Sequence, residues 1–179
     1  MRLFTAINFN KEIKNSLHEN IKRLKSYAMQ GNFTRPENLH LTLVFLGEVV
    51  PDKVGKVKQA MDKVVAKPFA LTISSLGYFQ RREGDIYWLG IEKSATLLSI
   101  YNQLSKSLIQ AGFPLEKREY KPHLTLGRRV ILKRQFNKAE FEQNMQFMNI
   151  EVDKISLMKS ERIKGKLTYT EIYVKKLGI

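Results

Sequence analysis

The chain contains no cysteine. That excludes a disulfide framework, a thiolate zinc site and a thiol nucleophile, and it agrees with a cytoplasmic protein. Histidine is scarce too, with three in 179 residues, and tryptophan occurs once. No apolar run approaches the length of a membrane span, and no signal peptide precedes the strand-like residues Leu3 to Phe9. The five prolines and ten glycines are scattered and leave no linker or low-complexity tract. Acidic residues are few, 17 against 31 lysines and arginines, which gives a formal net charge of +14. A surplus of that size points to a polyanionic partner, RNA or DNA first; no obligate protein partner is inferred. What remains is an ordinary globular balance, 43% hydrophobic and 27% charged, in a length that suits one domain or two small lobes folding together.

Two of the three histidines occupy identical tetrapeptides, His40-Leu41-Thr42-Leu43 and His123-Leu124-Thr125-Leu126. Strand side chains alternate faces, so each copy presents one imidazole and one hydroxyl on one surface and two leucines on the other. If the two strands face each other, two histidines and two threonines converge on one cleft. That set suits an anionic phosphorus centre. One imidazole activates water and the other protonates a leaving alkoxide, each role contributing on the order of 10²–10⁴-fold. The hydroxyls of Thr42 and Thr125 are placed to stabilise charge on the non-bridging oxygens. Arg128 could add a cation. It stands five residues after His123 and would face away in a regular strand, but Gly127 permits a bulge that re-aims it. A metal site is disfavoured, because two histidines are too few and the nearest carboxylates, Glu37 and Glu48, only flank the first motif at a distance. The third histidine, His18, reads as a surface or boundary residue of a helix.

Hydrophobic periodicity orders the rest of the chain. Leu3 to Asn8 reads as a strand. Asn10 caps a helix carrying Ile13, Leu17, Ile21 and Leu24 on one face, which Gly31-Asn32 ends. The first motif strand runs from Leu39 to Leu46. Pro51 opens a helix with Val54, Val57, Met61, Val64 and Val65 on its apolar face. Phe69 to Ile73 is a strand that continues through Leu76 to Phe79 beyond a bend, and Ile86 to Ile91 is another, containing Trp88. Leu97, Ile100, Tyr101, Leu104 and Leu108 mark a helix that stops at Gly112-Phe113-Pro114. The second motif strand ends at Gly127. A short helix over Ala139 to Met145 and strands at Ile150 to Leu157 and Thr168 to Val174 complete the chain, with a turn near Lys164-Gly165. Strand, helix, loop and motif strand appear in residues 3–46 and again in 86–129, with the histidines offset by 83 residues (123 − 40). Two such units related by a pseudo-two-fold axis predict an α+β, bilobal fold of two antiparallel sheets with outer helices and a central cleft.

The paired His-x-Thr motifs resemble those of the 2H phosphoesterase superfamily. Residues Pro36 to Gly47, the segment Gly77-Tyr78-Phe79 before Trp88-Leu89-Gly90, and the run Lys121 to Arg128 are similar to the LigT-like RNA 2′,3′-cyclic phosphodiesterases, also called RNA 2′-5′ ligases. Gly127 stands where that family often has alanine. The resemblance spans essentially the whole chain, as a single domain of two intertwined lobes. It implies metal-independent and cofactor-free hydrolysis of RNA terminal 2′,3′-cyclic phosphates to 2′-phosphates. It also implies a possible reverse reaction in which an RNA hydroxyl replaces water and forms a 2′-5′ linkage without ATP. By the same resemblance His40 protonates the leaving 3′ oxygen and His123 activates water; the identical motifs themselves leave that assignment open. Phe45, Phe79 and Tyr120 are candidates to stack on a base, and Arg35, Arg81 and Arg82 to hold phosphates. Two other expectations stay open: a 2H enzyme acting on small cyclic nucleotides or 2′-5′-linked oligonucleotides, and an RNA-binding module without turnover.

Overall fold

The structure, a computed structural model, describes residues 1–117, 119–145 and 148–178. Along them run β1 (Arg2–Asn8), α1 (Lys11–Ser26), β2 (Ala28–Phe33), β3 (His40–Glu48), α2 (Val54–Asp62), β4 (Phe69–Phe79) and β5 (Asp85–Ile91). There follow α3 (Ala95–Gln110), β6 (His123–Leu132), α4 (Lys138–Gln143), β7 (Asn149–Val152), β8 (Lys154–Ile163) and β9 (Lys166–Lys176). The strands form two sheets, ordered β3-β1-β8-β9 and β2-β6-β5-β4-β7, and the strand pairs within both are antiparallel.

The offset between the two histidines carries β1 onto β5, α1 onto α3, β3 onto β6, α2 onto α4 and β4 onto β8, each to within two residues at its start. The repeat thus reaches beyond residues 3–46 and 86–129. Its last strands are exchanged: β4 of the first unit pairs with β5 of the second, and β8 of the second pairs with β1 of the first. Each sheet is therefore built from both halves of the sequence.

Helices α1 and α3 start where side chains satisfy their free backbone donors. Asn10 Oδ1 accepts from the Ile13 N–H (2.9 Å) and Ser94 Oγ from the Leu97 N–H (3.2 Å). Leu17, Ile21 and Leu24 of α1 and Leu97, Ile100, Leu104 and Leu108 of α3 are buried. They pack in one continuous core with Leu3 and Ile7 of β1, Leu41 and Leu43 of β3, Leu89 of β5, and Leu124 and Leu126 of β6. The leucines of both motif strands thus face the helices, and the opposite face of each strand is left for chemistry.

The structure departs from the sequence reading in four places. The first helix ends at Ser26, and Gly31-Asn32 belongs to the edge strand β2, whose side chains are all at least partly exposed and so carry no periodic hydrophobic signal. Ile150 to Leu157 is two strands parted at Asp153, β7 pairing with β4 and β8 with β1. The second motif strand continues past Gly127 to Leu132. Val65 lies beyond α2 and is 71% exposed.

Candidate active site

The registers on either side of the motif strands define the site. Asn8 lies opposite His40 and Ala6 opposite Thr42, so these residues share one face of the first sheet. Gly90 lies opposite His123 and Trp88 opposite Thr125 in the second. Both strands then bulge at the same point of the repeat. Thr5 pairs with Val44 while Ala6 pairs with Thr42, which leaves Leu43 as the extra residue. Tyr87 pairs with Gly127 while Trp88 pairs with Thr125, which leaves Leu126 extra. A bulge inverts the alternation beyond it. Phe45 and Arg128 consequently join the histidine face, which a regular strand would have denied them, and they occupy equivalent positions of the two units.

Each bulge is secured by a threonine. The fully buried Thr5 hydroxyl donates to the Val44 carbonyl (3.3 Å) and accepts from the Val44 N–H (3.1 Å). In the second unit the Thr34 hydroxyl donates to the Thr125 carbonyl (2.8 Å) and the Thr34 N–H to the Leu126 carbonyl (2.8 Å). These bonds occupy backbone groups that the irregular pairing would otherwise leave unsatisfied.

The two imidazoles are anchored alike. His40 Nδ1–H donates to the Asn38 carbonyl (2.7 Å) and His123 Nδ1–H to the Lys121 carbonyl (2.6 Å), in both cases two residues upstream. The lone pair of each neutral ring is thereby placed on Nε2. In the first motif Nε2 accepts from the Thr42 hydroxyl (3.0 Å). The walls differ. The His40 ring lies against Phe4 (4.8 Å between centroids) and edge-on to Tyr169 (5.1 Å). The His123 ring lies edge-on to Phe79 (5.2 Å) and near Trp88 (5.9 Å). Burial holds the His40 pKa down to about 4, and the charges of Lys14, Arg128 and His123 act in the same direction against the Asn38 carbonyl. Arg128 and His123 thus lie within electrostatic reach of His40, and the two motif strands β3 and β6 approach each other from their separate sheets.

The other candidate residues have distinct surroundings. Arg128 is exposed, and its charge also reaches Tyr169. Phe45 is 46% exposed, with the Arg2 guanidinium 5.2 Å from its ring centroid. Phe79 touches both Trp88 (5.2 Å between centroids) and His123, and the three rings form one cluster. Tyr120 stacks on Tyr101 at 4.1 Å, and its hydroxyl donates to the Thr42 carbonyl (3.0 Å), so one face of its ring is covered and it braces the first motif strand. Arg35 pairs with Glu37 (3.0 Å) and donates to the Leu167 carbonyl, tying β9 to the turn before β3. His18 lies on α1.

Sequence reading gave no site role to Tyr169, Thr5 or Thr34, and it quoted Asn38 and Trp88 only within the stretches that carry the resemblance. Gly77 has a steric role here: a Cβ on it would lie 2.1 Å from Trp88 Cη2, so the indole that flanks His123 lies directly over its backbone. Among the described residues no three His, Asp or Glu side chains cluster as metal ligands, and no helix is long and apolar enough to cross a membrane.

The family described as the 2′-5′ RNA ligase superfamily matches residues 13–164. The RNA 2′,3′-cyclic phosphodiesterase of Thermotoga maritima is 35% identical over 131 residues, covering 72% of this chain and 70% of its own. That of Methanothermobacter thermautotrophicus is 30% identical and the match covers 99% of both chains. The structure of E. coli LigT complexed with 3′-AMP superposes with a TM-score of 0.81 at 28% identity, over 98% of this chain and 97% of that one. TT0787 of Thermus thermophilus superposes at 0.82 with 22% identity, over 99% and 98%, and shares the fold.

Proposed function

This chain belongs to the 2′-5′ RNA ligase superfamily, and from that membership and the geometry of the cleft we propose that it hydrolyses the 2′,3′-cyclic phosphate at RNA ends to a 2′-phosphate. The observation that carries the reading is the pair of imidazoles, each held through Nδ1 by a backbone carbonyl, each on the same strand face as a threonine, and close enough for His123 to act electrostatically on His40.

In the proposed reaction water attacks phosphorus and gives its proton to His123 Nε2. The bond from phosphorus to the 3′ oxygen breaks, and His40 protonates that oxygen. Atoms and charge balance: the imidazoles exchange protonation states, and solvent resets them. His40 is neutral near pH 7 in the free protein, because burial holds its pKa to about 4. The negative charge of a bound cyclic phosphate favours the imidazolium and so loads the acid when substrate is present. Protonation also removes the acceptor that the Thr42 hydroxyl uses, freeing that hydroxyl to donate to a non-bridging oxygen alongside Thr125 and Arg128. Phe45 and Phe79 are the aromatic faces placed to stack on the terminal base; Tyr120 serves as a brace. The chemistry needs no metal in this scheme. An RNA 5′-hydroxyl in place of water gives the 2′-5′ linkage. The net charge of +14 and the lack of cysteine support an RNA substrate and a cytoplasmic setting.

The test is product analysis on a short RNA ending in a 2′,3′-cyclic phosphate, with chelator present. We expect a 2′-phosphate product that His40→Ala and His123→Ala each abolish. A 3′-phosphate product, or turnover that chelator stops, overturns the scheme.

A further inference from the structure

Outside the histidine cleft, four arginines meet in an open pocket of about 390 Å³. Arg81 and Arg82 come from the turn between β4 and β5, and Arg128 and Arg129 from the irregular part of β6. We propose that this pocket is a second phosphate subsite, which binds the backbone phosphodiester of the nucleotide preceding the reacting RNA end. The proposal rests on the function proposed above and extends it: the preferred substrate is an oligonucleotide, not a mononucleotide.

Three observations carry it. The first is charge. All four arginines are exposed, and the one carboxylate lining the pocket, Glu83, is paired with Arg129 at 3.2 Å. The guanidinium charges of Arg81 and Arg82 are left over beside Arg128, which the cleft shares, and guanidinium forks match phosphate oxygens bidentately.

The second is a built frame. Arg129 holds a left-handed conformation (φ 54°), uncommon for a residue with a side chain. Gly84 (φ 106°) packs so closely on it that a Cβ would lie 2.7 Å from the Arg129 carbonyl carbon. Gln30 of β2 donates long hydrogen bonds to the carbonyls of both Glu83 and Arg129 (3.5 and 3.4 Å), and the Arg81 N–H closes the turn on Asp85 Oδ1 (3.0 Å). Three separate segments therefore hold the turn and the bulge together, and strained backbone held by its surroundings is a mark of ligand sites.

The third is continuity. Arg128 lines the pocket and also acts electrostatically on His40 and Tyr169 in the cleft. One chain of phosphates can run from the histidines, past Arg128, to Arg81 and Arg82. A nucleoside cyclic phosphate has no second phosphate to place there.

The experiment compares wild type with the Arg81→Ala/Arg82→Ala double variant, whose lost side chains are exposed and outside the catalytic machinery. Binding is measured with a fluorescent RNA trinucleotide ending in an unreactive 2′-phosphate and with the corresponding nucleoside 2′-phosphate. Turnover is measured on the cyclic-phosphate forms of both. We expect the double variant to weaken trinucleotide binding by about tenfold or more, as loss of charge-assisted hydrogen bonds does, with a shallower salt dependence. Mononucleotide binding should stay within about twofold by the same measure. Equal losses on both ligands, or an unchanged trinucleotide affinity, overturn the subsite. The two readings separate cleanly. Arginine-dependent length preference without turnover removes the activity and keeps the subsite. Turnover that the double variant retains at every length removes the subsite and keeps the activity.

Discussion

Lowering the pH from 7 to 5 is expected to destabilise this protein by about 2 kcal/mol through His40 alone. The imidazole sits between Phe4 and Tyr169, with Nδ1 bonded to a carbonyl and Nε2 to a hydroxyl. Burial lowers its pKa from the usual 6.5 to about 4. Between those values the unfolded chain binds a proton that the native state refuses, so stability falls as pH falls. Full protonation of the unfolded state against a neutral native ring corresponds to about 3 kcal/mol, at 1.36 kcal/mol per pH unit. Integrated only from pH 7 to pH 5, where most carboxylates are still ionised, it is about 2 kcal/mol.

The assay is urea unfolding of wild type and His40→Gln at both pH values. The glutamine variant removes the titration, so it should be spared about 2 kcal/mol of the loss that wild type shows. Equal losses in the two proteins would refute the assignment of a low pKa to His40. The same measurement bears on catalysis. A ring neutral in the free protein becomes an acid only when substrate brings negative charge beside it, so a bound nucleotide 2′-phosphate should raise the His40 pKa, seen as a shift in its imidazole C2–H titration by NMR.

Other substitutions test the supports of the site. Thr5→Val strands the backbone polar groups of Val44 in the core and should cost about 1–3 kcal/mol in urea unfolding, while raising KM through the misplacement of Phe45. Unchanged stability would show that the bulge does not need the hydroxyl. Gly77→Ala places a methyl about 2 Å from the Trp88 ring; overpacking should cost about 1–3 kcal/mol, and displacement of the indole beside His123 should lower kcat. Tyr120→Phe removes the bond to the Thr42 carbonyl and should cost about 1 kcal/mol, with no selective loss for any one base. A base-selective rise in KM would instead make Tyr120 a stacking residue.

The two-residue period of strands was enough to put each histidine and threonine on one face and the leucines on the other. The repeat was legible from the same letters, because each unit must bury its apolar faces in the same way. The bulges were harder to read. A bulge is fixed by the partner strand's register, and Thr5 and Thr34 secure these two from 39 and 91 residues away. Gly127 hinted at the second bulge, but the extra residue is its neighbour Leu126. Nothing in Leu41 to Phe45 marked the first. Tyr169 and Trp88 reach the histidines only through sheet pairing, and the exchange of β4 and β8 between sheets appears nowhere in local pattern. The edge strand β2 was missed because it has no buried face to impose a pattern.

Identical tetrapeptides on a shared scaffold do not make identical catalytic groups, and the differences lie just outside the motifs. Both histidines use the same anchor, and both strands carry the same bulge, so the backbone device is symmetric. The residues it re-aims are not: one unit presents Phe45, an aromatic face, and the other Arg128, a cation. The phosphodiester substrate has the same asymmetry, with a base to stack on one side and charged oxygens to hold on the other. Arg128 and His123 both depress the pKa of His40, so the second unit tunes the group proposed as the acid in the first. A Phe45→Arg exchange would add a further positive charge and weaken base stacking at once. It should therefore lower turnover more through the resting protonation of His40 than through loss of phosphate affinity, and a pH–rate profile displaced to lower pH, with affinity for inorganic phosphate nearly unchanged or tighter, would be its signature. A profile that stays in place would show that the asymmetry of the two units does not set the roles of their histidines.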